Sequence, residues 1–372
     1  KQEENDKANA KNRFDRFLKV EHLDAEKLHI ENWGSQQKEE LPPTFYKIFR
    51  KGQILFPTRN PHLRRAAIAS FDGICGEKTL TLKQNTEIIS PEFLPFLFHS
   101  DNFYAHTTSA IIGSTNPHVR WRDVANYKFF IPSKEKQKEV SELLWRTDKV
   151  LQAEENLLRR LKSILIVETE NAIPDTSHEC WKLGDVTTSR KGVTYKSSGY
   201  TDAKNGISLL NLKSIEIGGG FNKKGIKYYC GEHNDRHFVK NDDLIIACTD
   251  VTRNGNVVGF PLHPSVYQDK KMLFSMDLIA IEIIRDDLLR NYLYYVLKTR
   301  SAHRFLFSHS PGTTVLHLDT SGLNKLKIPK IDLNTQRKLV GKLEAIESSI
   351  TDCELKISNT KILQKILINQ FF

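Results

Sequence analysis

The chain has 372 residues, 39% hydrophobic and 27% charged, with a net charge of +10. That length allows two domains with cores of their own. No apolar run approaches the roughly 20 residues of a membrane span. The opening KQEENDKANAKNRF has no signal-peptide core. Five scattered cysteines (Cys75, Cys180, Cys230, Cys248 and Cys353), with no C-x-x-C pair, argue against a disulfide framework and structural zinc and for reduced thiols.

The basic excess lies in two blocks. Residues 1–132 carry 19 basic against 16 acidic side chains, and residues 171–331 carry 22 against 16. Residues 133–170 balance at eight each, and 332–372 have six against five. Basic surface of this kind favours polyanions such as nucleic acid.

In chain order, FRKGQILFPTR (49–59) reads as an aromatic, a polar turn and an apolar strand. PEFLPFLFHSDNFYAH (91–106) reads as a helix shortened by Pro95. After Pro132 a long amphipathic helix begins. Val140, Thr147, Glu154 and Leu161 share one heptad position, and Leu144, Leu151, Leu158 and Leu165 the other. Pro174 lies at or just beyond its end. The second block has strand signals in GISLLNLKSIEI, DDLIIACT, NVVGF and LIAIEII, and LLRNYLYYVLKTRSAHRFLF (288–307) reads as one helix. After Pro329 comes a second long helix, with Asn334 as its expected N-cap. Leu339, Ile346, Cys353, Thr360 and Leu367 form one seam position, and Leu343, Ile350, Ile357 and Gln364 the other.

The two halves repeat at an offset of 199 residues: Gly113 with Gly312, Thr115 with Thr314, His118 with His317, Val124 with Leu323, Gln137 with Gln336 and Leu144 with Leu343. Only the middle slips, with two extra residues before Ile131-Pro132 and two fewer after it. Upstream, FRKGQILFPTR matches FVKNDDLIIACT (238–249), which puts Arg59 and Thr249 at the same place. The expected architecture is α+β: two mixed α/β blocks in tandem, each followed by a long helix. The helices pair as an antiparallel coiled coil with approximate twofold symmetry, Leu144, Leu151, Leu158, Leu165, Leu343, Ile350 and Ile357 forming the seam. The parts fall at 1–132, 133–173, 174–331 and 332–372. A helix of this length spans roughly 50 Å.

Catalytic motifs fail one by one. NPH at Asn116–His118 lacks the second proline and aromatic of an adenine-methyltransferase loop. PDTSHECWK (174–182) has the wrong spacing for a nuclease metal site. There is no P-loop, dinucleotide loop or H-x-x-x-H pair flanking a carboxylate. No catalytic residue and no metal ligand is assigned. The candidate nucleic-acid contacts are Arg59, Arg64 and Arg65 in PTRNPHLRRA, and Ser114 and Thr115 in the first glycine loop. In the second block they are Arg190, Lys191 and Tyr195, Arg253, Lys270 and Lys271, and Thr313 and Thr314. Arg and Lys grip phosphates, and polar side chains read base edges.

Taken together, Gly312-Thr313-Thr314, then Leu323…Leu326-Lys327-Ile328-Pro329, then Gln336-Arg337 opening a long helix, all repeated about 200 residues apart, closely resemble the specificity (S, HsdS) subunit of type I restriction–modification systems. WKLGDV (181–186) resembles that family's opening strand. The resemblance covers essentially the whole chain. It implies two target recognition domains, each reading half of a gapped double-stranded DNA target. The helices would set the spacing and dock two methyltransferase (M) subunits. Restriction (R) subunits would complete a cytoplasmic, prokaryotic, phage-defence complex without membrane contact. The chain would be non-catalytic and hold no cofactor, with S-adenosylmethionine, ATP and Mg in partner subunits. Roughly 50 Å corresponds to about 15 base pairs. One departure stands out. The first block has fewer than twenty residues before RFLKVEHLDAEKLHI and no tryptophan-led strand, so its N-terminal part is expected to be incomplete. Two other readings stay open: part of a fused restriction–methylation enzyme, or a coiled-coil scaffold whose basic blocks bind RNA or protein.

Overall fold

A computed structural model describes residues 1–177, 179–252, 254–267 and 270–372. The chain divides into two compact units, one made of residues 1–157 and 353–372 and the other of 158–352. The mixed α/β blocks with long helices match the α+β expectation. Among the described residues no helix is long and apolar enough to cross a membrane.

In the first unit, strands Ile54–Pro57 and Thr79–Leu82 pair antiparallel, with Ala67–Ile68 on the other edge. A five-stranded mixed sheet runs Glu4–Asn5, Phe45–Phe49, Gly73–Gly76, Arg16–Leu18 and Gly34–Ser35. Phe56, Phe93, Phe96 and Phe103 fill the core beneath helices Leu94–Leu97 and Asp101–Ser109. The expected single helix over 91–106 is therefore two. Ser100 caps the second, its Oγ accepting the Phe103 N–H at 3.3 Å.

In the second unit, Asp243–Ala247 and Leu278–Ile283 pair antiparallel, with Thr187–Lys191 on the far edge. A four-stranded sheet holds Tyr200–Thr201, Lys227–Tyr229, Ile207–Leu210 and Leu273–Phe274. The helix expected over 288–307 is also two, Arg290–Lys298 and Arg300–Ser308. Thr299 is extended between them and caps the second. NVVGF is a turn, not a strand. The Asp250 carboxylate accepts the N–H groups of Val257 and Val258, which curls the backbone.

The long helices run Lys134–Ala172 and Leu333–Phe371, offset by 199 at both ends. Asp332, not Asn334, caps the second: its carboxylate accepts the N–H groups of Asn334 and Thr335 at 3.0 and 3.1 Å. Every heptad seam residue named above is buried or half-buried, and none is exposed. In the first unit Val140 and Leu144 share a core with Ile368 and Phe372. Farther along, Cys353 Sγ contacts the Glu154 carbonyl and Lys361 pairs with Glu155 at 2.9 Å. Rising numbers on one helix meet falling numbers on the other, so these segments run antiparallel. In the second unit Leu165 packs with Leu339, Val340 and Leu343, and Lys342 pairs with Glu168.

The paired glutamines correct the expected slip. Gln137 is buried; its Nε2 donates to the carbonyls of Ile88 and Pro132, and its Oε1 accepts the Ser90 N–H. Gln336 is buried and does the same with Asp287, Ile331 and Leu289. All three partners differ by 199. The register therefore runs through without a gap, and Phe129 takes the place of Ile328. The shared Ile-Pro dipeptide misled the sequence reading; backbone position, not side-chain identity, is what repeats.

Candidate nucleic-acid interface

The two glycine loops occupy matching places. Gly113 and Gly312 have φ of +83° and +141°, a region glycine alone enters freely. Each loop folds back on itself: the His118 N–H donates to Ile112, and the His317 N–H to Pro311. The loop then bridges to the strand extension in its own unit, Arg59 with His118 and Thr249 with His317. The sequence match of Arg59 with Thr249 thus reappears as one recurring contact. Ser114, Thr115, Thr313, Thr314 and Arg59 are all exposed beside it.

Two adjoining clefts open beside this contact in the second unit. One, of about 640 Å³, is lined by Lys191, Thr194, Arg236, Thr249, Met276 and His317. The other, of about 800 Å³, shares Gly192, Thr194 and Arg236 and adds Lys196, His233 and Asn234. Lys191, Lys196 and Arg236 are exposed cations on the rim. Cations around hydroxyl and imidazole groups suit phosphate contact at the edge and polar readout within. Tyr195 is half-buried; its hydroxyl donates to Asp277 at 3.1 Å. Burial, with Asp277 alongside, pushes this phenol far above its usual range.

Other expected contacts are committed elsewhere. Arg190 lines the first cleft, but its guanidinium is paired with Asp243, which is fully buried, and also donates to the carbonyls of Arg236 and Phe238. Arg64 pairs with Glu26 at 2.6 Å and Asp101 at 2.7 Å, and lies 4.6 Å from the Tyr104 ring. Burial acts to raise the Asp101 carboxyl, but Arg64 and Lys365 outweigh it and hold the group below its ordinary value. Arg65 donates to the Val20 carbonyl at 2.9 Å. These three arginines tie their domains together, because a half-buried guanidinium needs acceptors inside the protein. Lys270 donates to the Val266 carbonyl, Lys271 sits over the Phe238 ring, and neither lines either of these two clefts. Arg253 lies outside the described residues. Burial pushes the Cys75 and Cys248 thiols up to about 12, so both stay protonated.

Arg236 was not singled out from sequence. It lies in HNDRHF, where Asn234 precedes the single turn Asp235–His237. The Asn-Asp turn signal was readable; that the turn borders a cleft was not.

Comparison with known proteins adds one decisive observation. The model for the type I restriction modification DNA specificity domain matches residues 9–163 and again 178–361, once over each half. The chain belongs to this family. A curated specificity-domain relative, the type I restriction enzyme EcoBI specificity subunit of Escherichia coli, is 19% identical over 183 residues, 48% of this chain. The match spans about a third of that relative, 35% of its length. A type I R-M chain, solved in a study of complex assembly and conformational transition, shares the fold at TM-score 0.59 and 20% identity. It covers 100% of this chain and 94% of its own. The type I restriction–modification S subunit from M. genitalium gives 0.57 at 15% identity, covering 97% and 92%.

Proposed function

We propose that this chain is the DNA-sequence-specificity subunit of a type I restriction–modification complex. The observation that carries the reading is the doubling. One family model matches both halves, and each half presents a glycine loop bridged to the same strand extension. Two different readers in one chain suit an asymmetric, gapped target, whereas dimeric repressors use true symmetry for palindromes. Each block reads one half-site, with exposed cations on phosphates and cleft groups on base edges.

The subunit contributes recognition, and chemistry belongs to its partners. Two methyltransferase subunits bring S-adenosylmethionine, and restriction subunits bring ATP and Mg. The long helices support docking. In the first unit Leu143, Val150 and Leu157 stand exposed at heptad spacing, off the buried seam. Such a stripe suits a helix of the methyltransferase subunit. The scaffold reading with RNA or protein is not favoured, since the DNA specificity model matches both blocks.

The test is methylation mapping. Deleting the gene should erase one gapped adenine-methylation motif from the host genome, and restoring it should return that motif. An unchanged methylome refutes the proposal.

A further inference from the structure

Residues 74–82 and 273–281 are a further matched pair, and strand register fixes the match at both ends. Ile74 stands opposite Phe17 and Leu273 opposite Leu209, both in parallel pairs. Leu82 stands opposite Ile54 and Ile281 opposite Leu244, both in antiparallel pairs. Between these strands each unit makes a two-residue turn, Glu77-Lys78 in one and Met276-Asp277 in the other. The turns are seated alike. The Thr58 N–H donates to the Lys78 carbonyl at 2.8 Å, and the Cys248 N–H to the Asp277 carbonyl at 2.9 Å. One bond further on, the Val119 N–H donates to Thr58 and the Leu318 N–H to Cys248. Turn, strand extension and glycine loop therefore form one repeated frame.

The first residue of the turn is exposed in both units, and its chemistry differs. Met276 is 43% exposed and shares the first cleft with Lys191, Arg236, Thr249 and His317. Its N–H donates to Val193 and its carbonyl accepts from Cys248 Sγ, so the backbone is fixed. Cys248 and Leu318, the other apolar lining residues named by their side chains, are buried. The Asp277 carboxylate, next along the turn, is taken up by the hydroxyls of Tyr195, Thr249 and Ser275. A large apolar side chain held in water on a rigid turn contributes little to folding. In a cation-rimmed cleft it suits an apolar spot on a polyanion, and the major groove of DNA offers one in the 5-methyl group of thymine. Glu77 is chemically unlike, because a carboxylate only accepts. The Tyr46 hydroxyl and Lys78 Nζ, both at 3.4 Å, leave acceptor positions open. On a major-groove edge the donor a carboxylate takes is the cytosine N4 amine.

We propose that positions 77 and 276 are matching base-reading positions. Met276 reads the 5-methyl group of a thymine in one half-site, and Glu77 reads the N4 amine of a cytosine in the other. This rests on the DNA-specificity reading given above and names the bases that the site takes. The repeated frame carries it: one anchored turn delivers two unlike side chains to the same place, as two readers of unlike half-sites require.

The experiment starts from the methylation motif of a host carrying the native gene. Met276→Ala should make one A·T position degenerate in one half-site, and Glu77→Ala one C·G position in the other. Both are exposed turn positions, so thermal unfolding should not change. The complex purified through the full chain is then titrated with duplexes in which one thymine at a time is replaced by uracil, which lacks only the methyl group. The native complex should lose roughly fourfold in affinity at one thymine, and Met276→Ala should bind the two duplexes alike. Absence of any gapped motif in the native host overturns the specificity reading and this inference with it. A gapped motif that neither variant alters overturns this inference alone. So do changes by both variants within the same half-site, a native complex indifferent to every thymine methyl, or a thymine–uracil profile that Met276→Ala leaves intact.

Discussion

Arg190→Ala separates two roles that a sequence cannot tell apart. The Arg190 side chain is 17% exposed and Asp243 is 0% exposed, and the guanidinium contacts both carboxylate oxygens. Truncation would strand a charge in the strand at the heart of the second unit. Breaking such a pair costs roughly 3–5 kcal/mol. The Lys240 N–H at 2.6 Å still serves Asp243, which places the expectation at the low end. A loss of about 3 kcal/mol speeds exchange through global opening by roughly 150-fold. Hydrogen exchange read at Asp243–Ala247 and Leu278–Ile283 measures this directly. Strand Ile54–Pro57, in the first unit, is the internal control. Arg190→Met with Asp243→Leu removes both charges and should recover most of the protection. Unchanged exchange in Arg190→Ala, together with weakened DNA binding, would refute the reasoning and return Arg190 to the reading surface.

Lys191→Ala and Arg236→Ala should each leave thermal stability unchanged and lower the salt slope of DNA binding by about one, provided each contacts a phosphate. Gln137→Ala and Gln336→Ala should each destabilise their own unit by about 2–3 kcal/mol in urea unfolding, because three backbone groups lose their partner. Leu343→Ala, at a fully buried seam position, should cost about 3 kcal/mol. Leu157→Ala should stay within about 0.5 kcal/mol yet weaken capture of the methyltransferase subunit in pull-down. Acid should act on the first unit through His99. Burial, with Arg64 nearby, pushes that imidazole down to about 4. The unfolded chain then takes up a proton the native chain refuses. Stability is full above about pH 6.5 and falls towards pH 4, by up to about 1.4 kcal/mol per pH unit. His29 works in the opposite sense. Its hydrogen bond to Asp148 raises its pKa against burial, so its contribution is present in acid and lost as pH rises through that value. His99→Gln should flatten the acid limb, and His29→Asn the alkaline one.

The long helices were legible because heptad periodicity survives any tertiary context. Thr147, Glu154, Thr360 and Gln364 looked like defects, yet each is at least half-buried at its seam position. The repeat was legible for the same reason, since its period is a property of the chain. What failed was local. Thr299 splits a hydrophobic run that reads as one helix, because its hydroxyl caps better than its backbone propagates. Val257 and Val258 have strand propensity but answer to one carboxylate seven and eight residues away. The arginines fared worst. Arg59 and Arg64 carry the same charge on the same loop, and only tertiary contact reveals that Arg64 is occupied with Glu26 and Asp101.

The glutamine junctions carry a consequence for how such a chain changes its target. At the start of each long helix one glutamine makes its hydrogen bonds to the block through main-chain atoms alone: Ile88, Ser90 and Pro132 in one case, Asp287, Leu289 and Ile331 in the other. A coupling that ignores side-chain identity is a standard fitting. A block that brings its backbone to those three points keeps this joint, whatever bases its surface reads. Genetic exchange between these fittings would therefore combine half-site vocabularies without redesign of the joint.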